Sequence, residues 1–587
     1  MKQGCKIIRA SDLPRQQRLP TSGASNPAPR SPKRSFRLLV IAGALLLTTQ
    51  GLGGCSGGGG DNDQTGPKTT TIRVVHGPEL RPLLSSLREA FYLQKPTLSD
   101  GSEVRVELQN VMGVLAAEQI ARGDIKAEGW LAPSTSLVNY ANHSVRNLGA
   151  RQRDCQTIFS TPVVIATREK NSSDFNASGQ SFSWAELLEK EEQHRLKDSQ
   201  ADSQLSFSHG TPRSSTTGLP ALLQLSLLSL PGKTQTLSLE ALRQPETISQ
   251  LRKFQSFVSD YSLSEGYLLG RSARFESRRV RSTITTEQQV ALFNSSRPAG
   301  ADKLLALYPS EGSAWDDYQF CVSDADWVTI PHRAALGVFG AFLRETAAQQ
   351  AARQQGFRPS QPTDEIAPLL PEFGVNLALP ERSFLPTSGE SVAHLLSAWP
   401  EFVRPAAIAL VLDSSGSMEG DPIERAKEQF RNLLGRTGPR DLKMLITFAT
   451  RPTIVSDFTT DIHRLLPALD QTQPVGGSAV YDAVRAAIEA ITKNEILHSY
   501  RRQIIVITDG DDKNSEGSLQ GTVDLVKDKL ARNDIKLTII GIRRDGANYD
   551  DLRRIAENGN GYFFESEVPR LPDLFQEIAQ SIQGTTP

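Results

Sequence analysis

The chain has 587 residues, too many for one hydrophobic core, so two or three domains are expected. Its 38% hydrophobic and 22% charged residues fit a folded soluble body and exclude a largely disordered chain. A net charge of -1 gives no handle for a polyanion, and 6% aromatic residues offer little stacking surface, so nucleic acid is not an expected partner.

Residues 1–37 are polar and basic, with Lys2, Lys6, Arg9, Arg15, Arg18, Arg30, Lys33, Arg34 and Arg37 and almost no acid. An apolar run follows over residues 38–47. It is too short to cross about 30 Å of hydrocarbon, which takes about 20 helical residues. A basic stretch before a short apolar one reads as an export signal. It ends in Leu52-Gly53-Gly54-Cys55, which resembles the bacterial lipobox. That resemblance implies removal of residues 1–54 and a lipid on Cys55; a plain secretory signal with a chance cysteine is the alternative. Residues 55–70, with Gly57 to Gly60, form a flexible tether. By the same resemblance Ser56 favours outer-membrane sorting, with the lipid as the only membrane attachment. Beyond Cys5 and Cys55 only Cys155 and Cys321 remain. In an oxidising compartment they could pair, or serve as small buried residues.

Residues 71–358 read as α/β. A strand at 71–75 is broken by His76-Gly77-Pro78, and Leu80, Leu83, Leu84, Leu87 and Phe91 then recur at helical spacing. An alternating strand at 103–108, a helix at 114–122 and a strand into Trp130-Leu131-Ala132-Pro133 follow. This order implies parallel strands with right-handed crossovers, and ligands beyond their carboxyl ends. His76, Ser134 and Thr135 are candidates there. So are Arg213, Ser214, Ser215 and Thr216, in the hydroxyl-rich run 209–218 before an apolar helix, whose N-terminus could hold an anion. Each has a plainer reading. His76 and His209 would be surface or capping histidines, Arg213 a salt-bridge partner and the hydroxyls helix caps. The region resembles the type 2 periplasmic solute-binding fold, particularly its oxyanion-binding group, through 121–125, 130–134 and the strand 161–166 opening a second lobe. The resemblance implies two lobes, a cleft and hinge closure, with a return crossing at 286–290 and an end at 357–359.

Residues 359–404 contain seven prolines and read as a connector with one short helix near 392–399. Residues 405–587 repeat the α/β rhythm. The apolar run 407–412 has the character of a central parallel strand and leads into Asp413-Ser414-Ser415-Gly416-Ser417. With Gly477-Ser478 and Thr508-Asp509-Gly510, this resembles the metal-ion-dependent adhesion site of von Willebrand factor type A domains, with Ser478 where the family usually has Thr. The expected fold is α/β: a two-lobed periplasmic-binding-like region followed by a doubly wound, Rossmann-like type A domain. The oxygen-rich set Asp413, Ser415, Ser417, Ser478 and Asp509 suits a hard dication, by default Mg²⁺, with Ca²⁺ or Mn²⁺ as alternatives. By resemblance, the two aspartates hold coordinated waters and an acidic side chain from a protein partner completes the site.

The eight histidines form no helical metal-ligand pair, and no G-x-S-x-G turn occurs. Gly232-Lys233-Thr234 lacks the first glycine of a phosphate loop. The expectation is a non-enzymatic, envelope-anchored, metal-dependent protein-binding lipoprotein. The alternative is a receptor whose two-lobed region senses a small solute or oxyanion and whose type A domain relays it.

Overall fold

A computed structural model describes residues 68–578 except 147, 198–204, 231–234, 263–264, 275–279, 511, 532, 534, 545, 560, 573 and 576–577. The signal segment, Cys55, nearly all of the tether and Gly232-Lys233-Thr234 lie outside the described residues. No helix among the described residues is long and apolar enough to cross a membrane.

Eleven strands form the N-terminal sheet, along the path β2 (Glu103–Asn110), β1 (Thr69–His76), β3 (Gly129–Ala132), β10 (Trp315–Asp324), β4 (Arg151–Arg168), β8 (Val280–Thr286), β6 (Leu205–Gly210) and β7 (Val258–Ser262). Off this path β9 (Leu304–Pro309) and β11 (Arg358–Pro359) pair with β4, and β5 (Ser181–Phe182) pairs with β9. Alternation sets the pairing of β1: Ile72 and Val74 are buried in the outer core of the first lobe with Leu80, Leu83, Leu84, Leu87 and Phe91 of the expected amphipathic helix, while Val75 turns to the opposite core.

The lobes are joined by one long strand. β4 has 18 residues, about 60 Å of extended chain. Its first part lies antiparallel to β10 in the first lobe, from Arg151 opposite Asp324 to Pro162 opposite Trp315. Its last part pairs with β8 and β9 in the second. The return to the first lobe is therefore between β9 and β10, not at residues 286–290 as expected. Those residues end β8 and open the helix Glu287–Ser295, which packs in the second lobe with Val164, Ala166 and Leu304. Cys155 of β4 and Cys321 of β10 are joined in a disulfide, at the irregularity where the register shifts between Phe320 and Val322.

The proline-rich connector is more structured than a loose strap. Its helix spans Gly389–Phe402 rather than 392–399, begins at a Ser388 cap and buries Val392, Leu395, Leu396, Trp399 and Phe402. It bridges the lobes. Asn139 Nδ2 of the first donates to the Thr387 carbonyl at 3.0 Å, and Ser391 Oγ donates to the Leu237 carbonyl of the second at 3.1 Å. One apolar cluster runs from Val75 and Leu137 through Leu396 and Trp399 to Phe207 and Tyr261.

The C-terminal sheet has the order β14 (Pro452–Thr459), β13 (Leu442–Phe448), β12 (Ala406–Asp413), β15 (Arg501–Thr508), β16 (Lys536–Ile542), β17 (Tyr562–Ser566). Every pairing is parallel except β13 with β14. Residues of β12 alternate between two cores. Ala407, Ala409 and Val411 face the helices Val480–Lys493 and Asp550–Asn558; Ile408, Leu410 and Leu412 face Asp421–Arg436 and Ile462–Gln471. This is a doubly wound sheet, with strand order reversing around β12.

The two regions meet through polar contacts at the amino ends of β15 and β16. Lys536 Nζ lies 3.4 Å from Asp260 Oδ1, both buried, and the Arg501 guanidinium sits 4.6 Å from the Tyr261 ring centre. Arg404 donates to the His498 and Tyr500 carbonyls, and Arg440 to those of Pro400 and Val403.

Candidate metal centre and inter-lobe cleft

The five oxygen-bearing residues singled out in the sequence come together where the strand order reverses. Asp413 ends β12, the turn Gly416–Met418 carries Ser417, Ser478 precedes the helix Val480–Lys493, and Asp509 follows β15. Two backbone bonds tie the loops: Gly416 N–H donates to the Gly476 carbonyl at 3.0 Å and Val475 N–H to that of Ser414 at 2.8 Å. Gly476 has φ of 77°, which a side chain would strain.

Within the cluster Ser415 N–H donates to Asp413 Oδ1 at 2.8 Å, and Ser478 Oγ donates to Oδ2 at 3.3 Å. Ser415 Oγ and Ser417 Oγ are 3.1 Å apart, and Ser417 Oγ donates to Asp509 Oδ1 at 2.8 Å. Three neighbours support the set, of which Asn514 and Arg544 were not singled out from the sequence. Thr508 Oγ1 donates to Asp413 Oδ2 at 2.5 Å, Asn514 Oδ1 accepts from Ser478 N–H at 3.1 Å, and Arg544 Nε stands 3.6 Å from Asp509 Oδ2. Thr508 stands in the motif Thr508-Asp509-Gly510, where no role was assigned to it; Asn514 and Arg544 follow no spacing rule. Burial, reinforced by Asp509, pushes the Asp413 carboxyl up to about 6, against hydrogen bonds from Thr508 and Ser415 that hold it down.

This donor set fits a hard dication. Asp509 Oδ2 is buried and accepts no hydrogen bond among the described residues, and the set is made only of hydroxyl and carboxylate oxygens. Ser415, Ser417 and Ser478 would hold such an ion with Asp413 and Asp509 behind them; bound, it would supply local positive charge for an incoming anionic group.

The candidate solute residues are arranged differently. His76 is buried, its Nδ1 2.7 Å from the Gly77 carbonyl; His209 is also buried, between the Tyr261 and Trp399 rings. Neither is a surface histidine, because each lies beneath the strand end that carries it. Burial lowers both imidazoles, His209 to about 4. Ser134 caps the helix Thr135–His143 by accepting from Leu137 N–H. Thr135 N–H donates to Asp317 Oδ1 at 2.8 Å, and its hydroxyl donates to Oδ2. Arg213 is ion-paired with Glu118, which also accepts from Tyr140 OH at 2.9 Å. Ser214 Oγ bonds Thr211 Oγ1 at 2.9 Å, Ser215 is buried against Gly210, and Thr216 is half-buried. The Arg213 guanidinium, which pointed to an oxyanion, is thus occupied by a carboxylate of the chain itself, and so is the N-terminus of the helix Thr135–His143.

A cleft of about 390 Å³ opens between the lobes. Its walls come from β4 (Thr157, Ser160), the start of β10 (Trp315, Asp316, Asp317), the helix Gly218–Leu228 (Leu223, Leu227) and the connector (Ser383 to Thr387). None of the seven candidate solute residues lines it.

Comparison with known proteins agrees with both halves. Residues 72–358 match the bacterial extracellular solute-binding protein family, and residues 408–511 the von Willebrand factor type A domain. Human inter-alpha-trypsin inhibitor heavy chain H4 is 24% identical over 245 residues, covering 39% of this chain and 26% of its own length. An uncharacterized Synechocystis protein is 27% identical over 184 residues, 30% of this chain and 42% of its own. The chain therefore spans less than half the length of these relatives. Among solved structures, BatB from Bacteroides thetaiotaomicron aligns with a TM-score of 0.25 and 24% identity, over 30% of this chain and 98% of that one. The chain joins a bacterial extracellular solute-binding protein domain to a C-terminal von Willebrand factor type A domain.

Proposed function

We propose that the protein is an envelope lipoprotein, anchored through Cys55, that captures a protein partner at a Mg²⁺-dependent site formed by Asp413, Ser415, Ser417, Ser478 and Asp509. The observation that carries this reading is the hydrogen-bonded convergence of these five side chains at the strand-order reversal. With three neutral hydroxyls as the direct ligands and the two aspartates set behind them, the ion's own ligand shell carries little charge, so an Asp or Glu of the partner is the natural last ligand. Arg544, beside Asp509, adds a second attraction for that carboxylate. The relatives' type A domains fit protein interaction rather than catalysis. Affinity capture from native envelopes tests it: a partner should be retained with Mg²⁺ and lost with chelator. Retention by the Ser415→Ala/Ser417→Ala variant in chelator would overturn the metal mechanism. Cys55→Ala should move the protein from the membrane to the soluble fraction.

A second reading, a solute receptor whose type A domain relays occupancy, draws support from the buried contacts linking Asp260 and Tyr261 to Lys536 and Arg501, at the amino ends of the strands leading toward the metal centre.

A further inference from the structure

The cleft between the lobes has a chemistry that neither domain match specifies. Its lining holds two carboxylates, Asp316 and Asp317, and among the described residues no Lys, Arg or His. The carboxylates differ in how they are held. Asp317 accepts from Thr135 N–H, from the Thr135 hydroxyl and from Gln319 Nε2 at 3.0 Å. Asp316 is only 3% exposed, and no hydrogen bond or ion pair reaches its carboxyl among the described residues. Its charged neighbours are Glu79 and Asp317, both of its own sign. An anionic solute would find no basic side chain in this lining among the described residues and would face two carboxylates. The rest of the wall is apolar or hydroxylic: Trp315, Leu223, Leu227 and Phe384, with Ser136 and Ser160. A cavity of this size with an apolar wall and convergent polar groups is what a small-molecule site requires.

The geometry points to an organic cation as the ligand of this cleft: an ammonium or guanidinium group received by Asp316 and Asp317, on an aliphatic body lying against Trp315, Leu223 and Leu227. Without a cation, burial and its acidic neighbours Glu79 and Asp317 hold the Asp316 carboxyl well above the usual range. A cationic ligand opposes that shift by pairing with the ionised carboxylate. The connector contributes a wall: Trp315 Nε1 donates to Ser383 Oγ at 2.9 Å, and Thr387 N–H donates to Ser136 Oγ at 2.8 Å. The site is separate from the metal centre, so it stands or falls independently of the adhesion reading.

The test uses the full mature chain in chelator, which silences the metal centre. Calorimetric titration with cadaverine, agmatine and butylammonium is compared with titration by molybdate, sulfate and phosphate. At least one amine should bind, with an affinity that falls as the pH is lowered. Asp316→Asn should weaken that amine at least tenfold without unfolding the protein, because the amide keeps the size and shape of the carboxyl. Leu223→Trp, which fills the cleft, should abolish binding and controls for an Asp316 variant that misfolds. Binding of an oxyanion but no amine, amine binding unchanged in both variants, or no binding by any amine overturns the proposal.

Discussion

His209 shows how far a residue's role depends on what covers it. Burial holds its imidazole at about 4, against 6.5 for the free side chain. Between those values the unfolded chain binds a proton that the native state refuses, so stability falls as pH drops from 6.5 and levels off below about 4. The whole effect is on the order of 3 kcal/mol. Urea unfolding at pH 7 and pH 4.5 should show His209→Gln losing less stability on acidification than the wild type; equal losses would remove His209 from that balance. A pair of residues makes a second case. Cys155 and Cys321, 166 positions apart, close a long loop, so Cys155→Ser should cost roughly 2–5 kcal/mol under oxidising conditions and nothing extra under reductant. At this scale the sequence was legible where one loop carries the chemistry, as in Asp413-Ser414-Ser415-Gly416-Ser417. It was not legible where a partner arrives from elsewhere. Arg544 and Asn514 reach the metal centre, Glu118 takes Arg213 and Asp317 takes Thr135, all without a fixed spacing.

Among the elements, the central strands β12, β15 and β16 were readable because both faces are covered, which leaves an unbroken apolar run. The edge strand β14 gave no such signal; it begins at Pro452 and leaves Ile454 and Val455 exposed. The return crossing was misplaced for a different reason. Residues 280–295 show a strand followed by a helix, but which lobe holds them depends on pairing with β4, and that is not a local property. The connector is likewise tied in by a distant group. Glu287, fully buried, accepts from Arg358 Nε at 2.7 Å and from Tyr308 OH at 2.5 Å, and Arg358 Nη2 also reaches the Leu379 carbonyl at 2.5 Å. Glu287→Gln leaves that guanidinium without its counter-charge and should cost about 3–5 kcal/mol, read as a lower denaturation midpoint. A change under 1 kcal/mol would mean that water replaces the carboxylate.

Across the whole molecule, the helix Gly389–Phe402 ties the lobes together, and Asp260 with Lys536 ties the second lobe to the type A domain. Each half was recognisable in the sequence because its strand and helix order is local. Their mutual docking was not, since it rests on a few polar contacts at strand ends. Lys536→Met removes the ammonium from the Asp260 carboxylate. It should let the halves unfold in two separate calorimetric transitions where the wild type shows greater overlap; unchanged overlap would show that the ion pair does not couple them.

The central claim is that Asp413, Ser415, Ser417, Ser478 and Asp509 form a dication site. Thermal unfolding of the full chain across a Mg²⁺ titration tests it most directly, because an ion bound only by the native state raises stability by about 2.7 kcal/mol at 100 times its dissociation constant. The wild type should gain stability with Mg²⁺ while Ser415→Ala/Ser417→Ala, with an unchanged circular dichroism spectrum, gains none. Equal stabilisation of both proteins, or none of the wild type, would contradict the account.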